Sequence, residues 1–155
     1  MIRKTNGFFL PAVILALLLG FNPKAVAAPT AKMIKEVIDY YYHGQEEGPI
    51  LTEAKLCKGV ENFECTETIN PDSVPKGETV NVWMRFLVPK GARYDDIVVE
   101  YQHEGIPRRL TPHKIDGSIR YRLVDKNRVD KLGNWTITVK KGIEKLKEFK
   151  IKVVQ

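Results

Sequence analysis

The chain has 155 residues, 43% hydrophobic and 28% charged, with two cysteines, three histidines and a formal net charge of +6 at pH 7. That composition excludes a disordered tail, a collagen-like repeat and a cysteine-dense miniprotein, and it suits one domain with its own core. Setting aside Arg3, Lys4 and Lys24 of the N-terminal segment leaves +3, so nucleic acid is not an expected partner.

In chain order, Arg3 and Lys4 come first, and a fourteen-residue apolar run from Phe8 to Phe21 follows. Small residues then stand as Ala25-Val26-Ala27. This is the order of a secretory signal peptide, residues 1–27, with cleavage expected after Ala27. The run contains Pro11 and is shorter than the roughly 20 apolar residues that span a bilayer. The mature chain, residues 28–155, is therefore expected to be periplasmic or secreted, with no stable membrane insertion once the signal is removed.

Thr30 to His43 shows helical spacing. Met33, Ile34, Val37, Ile38 and Tyr41 form one apolar stripe, Thr30 is a candidate N-cap and Gly44 a candidate stop. A helix this short is marginal alone and is expected to dock on the domain or on a partner. Residues 28–49 are read as this helix and a polar loop, and 50–155 as a β-sandwich. Cys57 and Cys65 form a close pair, and in an exported chain such a pair oxidises. Neither a C-x-x-C redox motif nor a four-ligand zinc pattern is present.

From Ile50 the apolar period changes to two. Val80, Val82, Met84, Phe86 and Val88 share one face, opposite Thr79, Asn81, Trp83, Arg85 and Leu87. The same alternation marks Ile97–Tyr101, Ile119–Leu123, Trp135–Val139 and Phe149–Val153. About seven strands are expected, drawn from segments near 51–58, 65–70, 79–88, 96–103, 108–115, 118–124, 134–140 and 147–154. Pro75-Lys76-Gly77, Pro89-Lys90-Gly91, Gly105, Asp116-Gly117, Gly133 and Gly142 are the expected turns. Short strands at this spacing predict an antiparallel sandwich.

DKLGNWTITV (130–139), the ending LKEFKIKVV and VPKGETVNVWMRF (74–86) resemble strands of immunoglobulin-like sandwiches. The ordered phrases YQHEG, IDGSIRYR, LGNWTITV and FKIKV, within residues 50–155, resemble a family of exported bacterial domains of unknown function. The resemblance implies a fold and carries no catalytic residue. The cysteine pair departs from antibody domains, since it is too close in sequence to join two sheets.

The polar clusters give the function classes. No G-x-S-x-G, H-E-x-x-H or P-loop pattern occurs, so an enzyme is not expected, and no cofactor is implied. Arg108, Arg109, Arg120 and Arg122 make a candidate basic face for a protein or anionic ligand, if their strands pair through Asp116-Gly117. His103 and His113, with Glu104, make an alternative copper or zinc site if they face each other across the hairpin that turns at Gly105-Ile106-Pro107. Charge is split along the chain: residues 28–100 are net −5 and residues 101–155 net +8. Either the second half forms a basic face, or the halves interleave and neutralise each other. The leading expectation is a non-enzymatic binding or protein-interaction module. A periplasmic metal-binding accessory protein and an inhibitor of an extracellular enzyme are the alternatives.

Overall fold

The structure, a computed structural model, describes residues 28–155, so the expected signal peptide lies outside the described residues. Helix α1 spans Ala31–His43, with the Thr30 side chain accepting from the Met33 amide at 3.2 Å. Seven strands follow: β1 (Ile50–Glu61), β2 (Glu64–Thr68), β3 (Val74–Pro75), β4 (Thr79–His103), β5 (Ile106–Arg128), β6 (Gly133–Lys141) and β7 (Glu144–Val154). The fold is mainly β, as the alternating pattern predicts, and immunoglobulin-like, as the resemblance of its strand phrases implies.

Two strands are far longer than expected. Segments 79–88 and 96–103 are both parts of the 25-residue β4. Segments 108–115 and 118–124 are both parts of the 23-residue β5. Pro89-Lys90-Gly91 and Asp116-Gly117 are therefore not hairpin turns. They lie side by side where the β4–β5 ribbon bends, between the pairs Val88–Ser118 and Arg93–Asp116. Register shifts cluster there, and bulges bend paired strands together. Gly117 is required at this point, because a Cβ there would lie 2.7 Å from the Pro89 carbonyl oxygen and 2.8 Å from the Gly91 nitrogen.

The bend carries the ribbon from one layer into the other. In the first layer, β1 and the second half of β5 flank the first half of β4, and β2 extends from β1. In the second layer, the first half of β5 and β6 flank the second half of β4, followed by β7 and a short parallel β3. The inward faces meet in one core. Val80, Val82, Met84, Phe86 and Val88 pack with Ile97, Val99, Tyr101, Ile115, Trp135, Ile137 and Val139.

The outward face of β4 is covered as well. Asn81, Trp83 and Leu87 are 5%, 2% and 6% exposed despite their opposite parity. The β1–β2 hairpin makes this cover by lying across the first layer. Its Phe63 carbonyl accepts the Trp83 indole N–H at 2.6 Å, and the Cys57 and Lys58 carbonyls accept from the Asn81 amide, both at 3.0 Å. The disulfide Cys57–Cys65 ties the two arms of that hairpin. Leu87 pairs with Ile50, and both lie against α1.

Covering both faces makes Trp83 as much a core residue as Phe86. Trp83→Ala and Phe86→Ala are each expected to cost about 3–5 kcal/mol, read from urea unfolding. The exposed substitution Ile119→Ala should cost no more than about 0.5 kcal/mol. A Trp83→Ala cost as small as that of Ile119→Ala would mean that the hairpin does not seal the outer face.

Candidate functional site

The structure separates the four candidate arginines. The two halves of β5 both pair with β4 and not with each other, so Arg108 and Arg109 belong to the second layer and Arg120 and Arg122 to the first. Arg108 is exposed. Arg109 turns toward the other layer, where its guanidinium donates to the Lys126 carbonyl at 2.8 Å, while its Nε donates to Thr111 Oγ1 of its own layer at 2.9 Å. There is accordingly no single four-arginine face.

Arg120 and Arg122 converge on one carboxylate. Oε1 of Glu64, at the hairpin tip, lies 3.1 Å from Arg120 and 2.6 Å from Arg122. Arg85 lies directly across from Arg122 in the register and pairs with Glu53 at 2.8 Å. Lys55 also pairs with Glu53, and the Lys55 ammonium and Arg85 guanidinium stand 5.5 and 5.9 Å from the Trp83 ring centroid. The hydrogen bond from Lys55, helped by the nearby Arg85 charge, holds the Glu53 carboxyl below its ordinary range. The result is a cationic platform around a buried indole, with Glu64 reaching over it. Sequence reasoning found two of its arginines. It missed Trp83, Arg85 and Glu64, although a tryptophan at an outward parity position is the sign of a covered face.

The two histidines do not meet. His113 stands opposite Ile97 and His103 opposite Ile106, six positions apart along β4, which is about 20 Å at strand rise. The expected hairpin is real, but it turns at Glu104-Gly105 and leaves His113 far up the ribbon. His103 Nε2–H donates to the Leu132 carbonyl at 2.8 Å and its ring packs on Trp135. Glu104 accepts the Asn134 amide at 2.7 Å. Both residues thus brace the β5–β6 connection. Among the described residues no group of three or more His, Cys, Asp and Glu side chains is placed to hold a metal ion.

His113 belongs to a polar link between the layers. Asp125 is 3% exposed and sits on the second half of β5. It accepts the Tyr101 hydroxyl at 2.6 Å and His113 Nε2–H at 3.0 Å, both from the second layer. Burial, and then the Asp125 carboxylate, push the Tyr101 phenol far above its ordinary value. A buried carboxylate with two donors is a structural clamp: deleting a donor leaves charge stranded in the interior.

Charge interleaves across the fold. Glu64 with Arg120 and Arg122, Asp96 with Lys141, and Glu100 with Lys140 each join an acid of the first half to a base of the second. The asymmetry along the sequence is spent in part on these pairs.

No family model and no curated protein matches the chain. Solved structures do. An immunoglobulin-like protein of Pseudomonas aeruginosa is 13% identical, with a TM-score of 0.50 over 68% of this chain and 96% of that one. A CARDB domain of a Pyrococcus furiosus protein is 16% identical, with a TM-score of 0.39 over 69% of this chain and 96% of that one. At such identities the likeness concerns the fold alone.

The half-buried pair Glu100–Lys140 makes stability depend on pH. Hydrogen bonds from Lys140 and then Gln102 lower the Glu100 pKa in the folded state. The stabilisation is therefore complete above the ordinary carboxylate pKa and is lost in the acid window below it, as pH falls through the lowered folded value. Glu100→Gln should flatten the loss of melting temperature across that window relative to the unaltered protein. Parallel curves for the two proteins would show that the pair contributes nothing.

Proposed function

We propose that the chain is an exported, non-enzymatic interaction module that holds helix α1 out to a protein partner. The signal-peptide order of residues 1–27 and a disulfide suited to oxidising compartments support export. The observation that carries the reading is the apolar stripe of α1. Met33, Ile34, Val37 and Ile38 are 38–54% exposed, and no residue of the helix is buried. The domain holds the end of this segment through the Tyr94 hydroxyl on the Gln45 carbonyl and the Gln45 side-chain amide on the Lys90 carbonyl, and meets the helix itself beside Ile50 and Leu87.

Met33, Val37 and Tyr40 face Ile50 and Leu87 across an apolar groove of about 330 Å³. Scattered apolar side chains are ordinary on a surface, but a contiguous strip beside an apolar groove marks an interaction site. A protein suits it better than a bilayer. Lys32 and Lys35 are offset by Glu36 and Asp39, so the helix offers little pull toward anionic lipid. An inhibitor of an extracellular enzyme would be the same reading with an enzyme as the partner.

The test replaces Ile38 with a photo-crosslinking residue in the exporting cell, with the fully exposed Ile143 as control position. Position 38 should give one discrete protein adduct that Ile34→Asp abolishes. The free chain should begin at Ala28 and weigh about two mass units less than its reduced form. Adducts to lipid alone, or the same adducts from both positions, would contradict the proposal.

A further inference from the structure

We infer that the Arg120 and Arg122 guanidiniums of the platform beside Trp83 are a carboxylate-binding site now filled by the chain's own Glu64, and that its exchange partner is an acidic extended peptide segment. The inference uses none of the helix-stripe residues, so it can fail without the proposed function failing, and the reverse.

Four observations carry it. One oxygen of Glu64 serves two guanidiniums, at 3.1 and 2.6 Å, and Arg122 Nε remains buried with no hydrogen-bond partner. Guanidinium forks bind carboxylates through paired donors, so this set is only partly satisfied. Glu64 is 44% exposed, and an ion pair at that exposure is weak. Rotating its side chain into water vacates the arginines without moving the disulfide-tied backbone.

The hairpin tip is a two-residue turn between the paired Glu61 and Glu64, and such a turn needs positive φ at both of its central residues. Asn62 and Phe63 sit in the left-handed region at φ 50° and 59°, and Phe63 is 64% exposed. A bulky residue seldom takes that conformation without a local reason. Beside the tip, Val60, Asn62 and Phe63 face Val124 and Lys126 of β5 across a cavity of about 460 Å³. That leaves room next to the platform for a second chain.

The resident occupant indicates the ligand class. It is itself an extended acidic segment, with Glu61, Glu64 and Glu67 on one hairpin. A partner segment of the same chemistry would place a carboxylate on Arg120 and Arg122 and continue past Lys126.

The experiment titrates residues 28–155 with hexaglutamate and follows the Trp83 indole N–H by NMR, since that group reports the hairpin contact. Glu64→Gln should bind hexaglutamate about fivefold more tightly than the unaltered protein, the release expected for one exposed competing carboxylate. Adding Arg122→Gln should remove that binding, while an unchanged Trp83 indole resonance in the ligand-free variants shows that the hairpin still folds. Equal affinity with and without Glu64 would overturn its role as occupant. Tighter binding of a sulfated tetrasaccharide than of hexaglutamate would overturn the peptide assignment in favour of a glycan.

Discussion

A strand of 25 residues that runs through both layers of a sandwich needs cover on each of its faces. β4 gets its inner cover from the opposed layer, where Val80 to Val88 meet Ile97 to Tyr101 and the β6 residues. Its outer cover in the first layer comes from two local pieces, the β1–β2 hairpin over Asn81 and Trp83, and α1 beside Leu87. The hairpin is small and cannot build a core of its own. The Cys57–Cys65 link narrows the unfolded states available to it, a stabilisation of roughly 2.5 kcal/mol for so short a loop. The disulfide is thus best understood as the fastening of a lid on β4. It is not a link between the two layers.

The same architecture explains why the polar clusters are mostly structural. Both halves of β5 lie at the same open side of the sandwich, one in each layer. That side is closed by side chains: Arg109 reaches the Lys126 carbonyl, and His113 and Tyr101 reach Asp125. Pro107 and Pro112 lie along the first half of the same strand, where missing amide donors discourage pairing with another sheet. What stays open is α1 at one place and the Glu64-capped arginines at another. A rigid scaffold with exposed elements at its periphery is the physical form of an interaction module.

Much of this was legible in the sequence because it is local. The caps at Thr30 and Gly44 bound the helix, the even spacing named the core residues of β4, and the close cysteine pair joined as expected. The bends were not legible. Proline, glycine and Asp-Gly carry the same local signal in a turn as in a bulged strand, and only the pairing of residues 88–93 with 116–118 decides between them. The arginine face depended on that choice, which is why its residues came apart in the fold; the histidines came apart because His103 stands beside the Gly105 turn and His113 well beyond it on the returning strand. Glu64 was invisible for a related reason: its partners are 56 and 58 positions away, and no periodic pattern reports a contact at that range.

The central claim is that the disulfide-tied hairpin is what shields Trp83. Hydrogen exchange of the two tryptophan indole N–H groups tests it most directly, because Trp83 donates to the hairpin and Trp135 donates to Lys131 on the far side of the fold. Reducing the Cys57–Cys65 bond should accelerate exchange at Trp83 by about tenfold or more and leave Trp135 unchanged. Equal acceleration at both indoles, or none at either, would contradict a hairpin that opens as its own unit over β4.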